Sequence, residues 1–191
     1  MTFLGMAAVA VCSLAASSVF PQYDDAKNEN ISSSSGHFIV EESYPEFFVC
    51  GDVPLEADLQ KKAQEFCGDY GVPYEIALAV IYQESRFDEN ADNGSCVGLM
   101  QVNRINSQWL NDEIGITDLT DTEQNLQAGI WMLGSLFEKY GEWNMALTAY
   151  NNGETGAKSK FFSEGKISCA YSESVLSDCE RWRTMLEGNH E

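Results

Sequence analysis

The chain has 191 residues, thirty acidic against eleven basic, and a formal net charge of -19. A surface this acidic excludes phosphate-driven binding of DNA or RNA and attraction to anionic lipid headgroups. A hydrophobic share of 44% with 12% aromatics is enough for one domain with a real core.

From the start of the chain, Thr2 to Phe20 carries no charge and is mostly small and apolar. It reads as a secretory signal peptide over residues 1–17, with Ser13-Leu-Ala15 and Ala15-Ala-Ser17 as small-residue cleavage sites. It departs from that pattern in having no Lys or Arg at its start, and a retained membrane anchor is the alternative. Residues 18–53, with the run Ser32 to Ser35, are expected to be a flexible linker, and residues 54–191 the folded domain.

Five cysteines follow the leader: Cys50, Cys67, Cys96, Cys169 and Cys179. In an exported chain some are expected to pair, and an odd count leaves one over. Cys169 and Cys179 are not partners if a helix runs between them, since ten helical residues span about 15 Å. No CxxC or HxxxH spacing occurs, so no metal and no cofactor is expected. His37 and His190 are the only histidines and lie towards the ends, which makes a Ser-His-Asp or Cys-His site improbable.

Within the folded domain, Leu55, Leu59, Ala63, Phe66, Cys67 and Tyr70 share one helical face, closed by Gly71. Pro73 opens a second helix, and Tyr74 to Val80 is apolar on almost every side, the pattern of a buried helix. A turn-rich loop from Asp88 to Cys96 leads to Val97-Gly-Leu-Met-Gln-Val102, too short for a helix and read as extended or a tight turn. Helix is expected around Ile105 to Leu110. Asp121 caps the next helix, with Gln124 three residues on and Gly141 as its stop. Trp143, Ala146, Leu147 and Tyr150 line the inner face of another, ended by Asn151-Asn-Gly153. Tyr171, Val175, Leu176, Cys179, Trp182 and Leu186 face inward on the last. Strand alternation is absent, so the fold class is mainly α, about seven helices with at most a minimal β-hairpin near Gly98.

The buried helix ends in Glu84. No basic residue stands one turn before it, and burial raises a carboxyl's pKa by disfavouring the charged form. A carboxyl kept protonated near neutral pH is what a general acid requires.

Glu84-Ser85, Gly98-Leu-Met-Gln101 and Ala149-Tyr-Asn151 occur in this order, together with Asn125-Leu-Gln-Ala-Gly129, Tyr140-Gly141, Trp143, and Tyr171 with Val175. This pattern resembles the soluble lytic transglycosylase (SLT) domain family, over about Leu55 to Leu176. Each motif alone is weak; the ordered set is a strong signal. The resemblance implies a lysozyme-like fold and a long groove for the peptidoglycan glycan strand. It implies non-hydrolytic cleavage between N-acetylmuramic acid and N-acetylglucosamine, leaving a 1,6-anhydromuramyl end. Glu84 is then the single catalytic acid/base, with Tyr150 donating its hydroxyl to the Glu84 carboxyl. Ser85, Met100, Gln101, Asn151 and Tyr171 become substrate-binding residues: Gln101 through its amide, Met100 as an apolar wall, Tyr171 as a groove lining. Trp109 and Trp143 are left to core packing. The implied setting is outside the cytoplasm of a bacterium, secreted or at the cell envelope. The enzyme would be a monomer, its partner the glycan strand; a role beside a secretion apparatus is open.

Two alternatives stand beside this reading. Asp88, Glu89 or Asp92 can activate water and make the enzyme a muramidase, as in goose-type lysozymes, which share the fold. A wall-binding or assembly protein without catalysis is the other.

Overall fold

Residues 47–188 are described by the structure, a computed structural model. The expected leader, most of the expected linker, His37 and His190 lie outside these residues. In chain order the elements are α1 (Ala57–Tyr70), α2 (Tyr74–Ser85), β1 (Cys96–Val97), β2 (Val102–Asn103), α3 (Ser107–Ile114), α4 (Thr122–Tyr140), α5 (Trp143–Lys160) and α6 (Ala170–Gly188). Short 3-10 turns at Arg104–Asn106 and Phe162–Glu164 complete the set. The mainly helical, lysozyme-like class holds.

The centre of the fold is α2. Ile76 through Ile81 are all buried, which explains a sequence with almost no polar face. α6 packs along α2, α1 and α5 pack on α4, and α6 also meets α5. Pro73 precedes the helix and lends its carbonyl to the Ile76 and Ala77 amides. The antiparallel hairpin pairs Cys96 with Asn103 and Val97 with Val102. It is the small sheet expected near Gly98.

Two boundaries differ from expectation. The fold begins by Phe48 rather than at residue 54. Gln64 and Gln60 point inward from α1 and satisfy the backbone of an irregular segment. Gln64 bonds the amide and carbonyl of Phe48, and Gln60 serves Cys50, Val53 and Leu55. Cys50, Val53 and Leu55 are buried as a result. At the other position, Gly153 breaks α5 with φ 65 and ψ 153, yet helix resumes to Lys160. The chain kinks there instead of stopping, because Ala157 beyond the kink is again fully buried. Cys169 and Cys179 are separate thiols, the second inside α6, as a helix between them requires.

Asn125, on α4 and wholly buried, ties the hairpin to the helices. Its carbonyl accepts from the Met100 amide at 3.0 Å, and its nitrogen donates to the carbonyls of Val97 (2.8 Å) and Leu119 (3.0 Å). This packing leaves no room at Gly98, where a Cβ would stand 2.5 Å from the Asn125 side chain and φ is +76. At Gly129 a Cβ would stand 2.4 Å from the Met100 sulfur and 2.6 Å from its Cβ. Gly129→Ala is therefore expected to cost about 1–3 kcal/mol by overpacking, read from the urea midpoint. An unchanged midpoint would mean that α4 can move off Met100 at no cost.

Candidate active site

Glu84 sits in the last turn of α2, where the helix emerges from the core; the residue as a whole is half-buried, and its carboxyl is turned into the protein. The Tyr171 hydroxyl, from the start of α6, donates to Glu84 Oε1 at 2.6 Å. Burial pushes the carboxyl up to about 7; the Tyr171 bond, which favours the ionised form, acts in the opposite direction and is weaker. The charge of Glu84 in turn helps hold the Tyr150 and Tyr171 phenols well above their ordinary value, after burial, the larger cause. Carboxyl and two phenols thus form one cluster. Tyr171 engages Oε1 of the carboxyl.

Tyr150 does not hold Glu84. Its hydroxyl donates to the Met100 carbonyl at 2.9 Å, so the expected Tyr150–carboxyl bond is replaced by the one from Tyr171. Both tyrosines face inward on their helices; the docking of α5 and α6 on α2 decides which one reaches.

The hairpin residues also differ from expectation. Met100 is completely buried against Gly129 and forms no wall; its contribution is the carbonyl under Tyr150. Gln101 adopts φ +46 and spends both amide hydrogens on the carbonyls of Ala91 (2.9 Å) and Gly98 (3.0 Å). Its oxygen accepts from Asn93 at 3.2 Å. It clamps the loop before the hairpin rather than offering donors outward. Ser85 gives its proton to the Ile81 carbonyl one turn back. Asn151 accepts from Asn152 at 3.3 Å and lies beside the kink at Gly153. Trp143 stacks on Phe137 with centroids 4.2 Å apart, and Trp109 packs on Trp131 at 4.8 Å, both core roles.

The three acids considered for water activation are committed elsewhere. Asp88 accepts from the Asn90 amide, and Glu89 accepts from Thr122 at 2.9 Å. Asp92 takes a bidentate pair from Arg104, both bonds 3.0 Å, which holds its carboxyl below the usual range. All three are exposed or partly so. Among the described residues no group of three or more His, Cys, Asp or Glu side chains is arranged to hold a metal ion. A surface cavity of ≈ 450 Å³ between the end of α1 and α4, lined by Tyr70, Trp131 and Phe137, includes none of the site residues.

Residues without an assigned role in the sequence reading also shape the site. Asn125 holds Met100, and Gln83 donates to buried Asp178. The usable signal is a polar residue on an otherwise inward-facing stripe.

A family model, the transglycosylase SLT domain, matches residues 61–168, more than half of the chain. A membrane-bound lytic murein transglycosylase F from Desulfosudis oleivorans is 30% identical over 126 residues, covering 62% of this chain and 25% of that protein. Proteins of the same name from Alcanivorax borkumensis and Salmonella arizonae are each 34% identical, over 110 and 108 residues. They are covered to 22% and 19% of their length, and 53% and 52% of this chain is involved. The chain therefore spans a quarter or less of these relatives.

Proposed function

The chain belongs to the transglycosylase SLT domain family, and on that premise we propose that it is a peptidoglycan lytic transglycosylase with Glu84 as its single acid/base. The observation that carries the reading is the Glu84 carboxyl itself, pushed to about 7 by burial and held on one oxygen by Tyr171. A group poised there is substantially protonated at neutral pH, yet ionises readily once its proton has been given away.

In the first step Glu84 gives its proton to the glycosidic oxygen as the bond from the muramyl C1 to that oxygen breaks. The carboxylate left behind faces the oxocarbenium-like C1. In the second step it takes the proton of the muramyl C6 hydroxyl, whose oxygen forms the new bond to C1. The anhydro ring closes, no water is consumed, and Glu84 ends protonated as it began. One carboxyl suffices because the nucleophile belongs to the substrate; a hydrolase of either stereochemistry would need a second group at a defined separation. The commitments of Asp88, Glu89 and Asp92 to Asn90, Thr122 and Arg104 support this choice over the muramidase.

The relatives' names place them at membranes; for this chain we propose action outside the cytoplasm at a bacterial envelope. No helix among the described residues is long and apolar enough to cross a membrane. Mass spectrometry of soluble products from purified peptidoglycan tests the reaction. Muropeptides lighter by one water than the hydrolytic products are expected. Products at the hydrated mass would establish the muramidase, and none at all would overturn the lyase and leave the binding protein or a missing partner.

A further inference from the structure

The last turn of α2 is held by α6 at three consecutive residues. The Tyr82 ring lies 5.6 Å from the Arg181 guanidinium and edge-on to Trp182. Gln83 Nε2 donates to Asp178 Oδ2, and Glu84 accepts from Tyr171. Of these contacts, the one between Gln83 and Asp178 has no part in the chemistry described so far.

Asp178 is the one charged residue among the described residues that is buried as a whole, only 5% exposed. Its neighbours on the inner stripe of α6, Val175 and Cys179, are buried and apolar. A carboxylate in such a stripe carries a desolvation cost that a leucine would avoid. Both its oxygens are engaged: Oδ1 accepts from the exposed Arg181, and Oδ2 from Gln83. Arg181 is on the same helix, so the Gln83 bond is the one that ties Asp178 to α2.

The place of that bond matters. Asp178 stands seven residues beyond Tyr171, two turns along the same face of α6 and about 10 Å away. Gln83 is the chain neighbour of Glu84. Apolar packing is non-directional and permits small slips of one helix along another. A hydrogen bond such as the 2.6 Å contact of Tyr171 with Glu84 loses its geometry within about half an ångström. A directional bond beside it removes the slip.

We propose that Gln83 and Asp178 are positioning residues: their buried cross-helix bond sets the register of α6 on α2 and so delivers the Tyr171 hydroxyl to Glu84. This rests on Glu84 being the acid/base. The titratable groups facing Glu84 are Tyr171 of α6 and Tyr150 of α5, with Cys169 beside Tyr171. Asp178 is not among them, and it acts through the placement of Tyr171.

The test needs no substrate. The Glu84 side-chain carbonyl carbon is followed by NMR against pH in glutamate-labelled protein, its signal assigned by its loss in Glu84→Gln. Asp178→Ala and Gln83→Ala are each expected to raise the Glu84 midpoint by about half to one pH unit, because burial then acts with a weakened Tyr171 bond. Asp178→Asn, which keeps an oxygen for Gln83, should stay near wild type. In a Tyr171→Phe background neither alanine variant should move the midpoint further, since the hydroxyl they place is gone. Gln83 is partly exposed, and Gln83→Ala leaves Asp178 its Arg181 partner, so that variant carries the test if Asp178→Ala does not fold. A midpoint unmoved in folded Gln83→Ala, or moved equally with and without the Tyr171 hydroxyl, would overturn the positioning role and leave the bond a purely structural one. The alkaline limb of kcat/KM on peptidoglycan should follow the same order. An inactive wild type would sink the lyase reading, while the titration still decides this one.

Discussion

Glu84→Gln is expected to lose about 10²–10⁴-fold in kcat, the range of a positioned general acid/base, and to gain stability above neutral pH. The amide keeps an oxygen for the Tyr171 hydroxyl, so the packing of α2 on α6 is retained. What it cannot do is give up or take back a proton. The stability change follows from linkage. Glu84 holds its proton more tightly in the folded protein, about 7, than at the ordinary 4.5 of an unfolded chain. Below the lower value the carboxyl is protonated in both states and contributes no penalty. As pH rises between the two, the unfolded chain loses its proton first, and stability falls. Above the higher value the cost of the buried charge is complete, up to about 3 kcal/mol. The variant escapes that cost. Urea melts of both proteins from pH 4 to pH 9 should diverge through this window and then run parallel. A difference that stays constant with pH would mean that Glu84 is not held protonated by its surroundings, and the acid role would go with it.

How much of this was legible beforehand depended on whether the determinant was local. α2 was readable because Pro73, an apolar run and Glu84 all lie within one short stretch. The glycines closing α1 and α4 acted as expected, since a left-handed cap is a property of the residue itself. At Gly153 the same reasoning failed: whether a glycine stops or kinks a helix depends on what buries the next turn, here Ala157. The motif Gly98 to Gln101 was visible as a motif, but its parts serve differently from their side-chain chemistry. Met100 contributes a carbonyl, and Gln101 fastens a loop. The exchange between Tyr150 and Tyr171 has the same origin. Periodicity turns both inward, but which hydroxyl meets a carboxyl 66 or 87 positions earlier depends on how α5 and α6 dock on α2, information spread over the whole fold.

Tyr171→Phe separates the two tyrosines. The phenol donates to Oε1 and favours the carboxylate, so removing it lets burial act alone and Glu84 holds its proton more tightly still. The alkaline limb of kcat/KM, where the general acid is lost, should move up by about one pH unit, the worth of a hydrogen bond to a charged group. The proton then leaves for the glycosidic oxygen less readily, and the carboxyl is free to rotate away from the C6 hydroxyl. Together these should lower kcat about 10- to 100-fold. Tyr150→Phe acts elsewhere: it strands the Met100 carbonyl, costs about 1–3 kcal/mol of stability and leaves the alkaline limb in place. Profiles of both variants from pH 5 to pH 9 decide the matter. A limb that moved with Tyr150→Phe and stayed with Tyr171→Phe would return the donor role to Tyr150. It would also require α5 to lie closer to Glu84 during turnover than the Met100 bond allows.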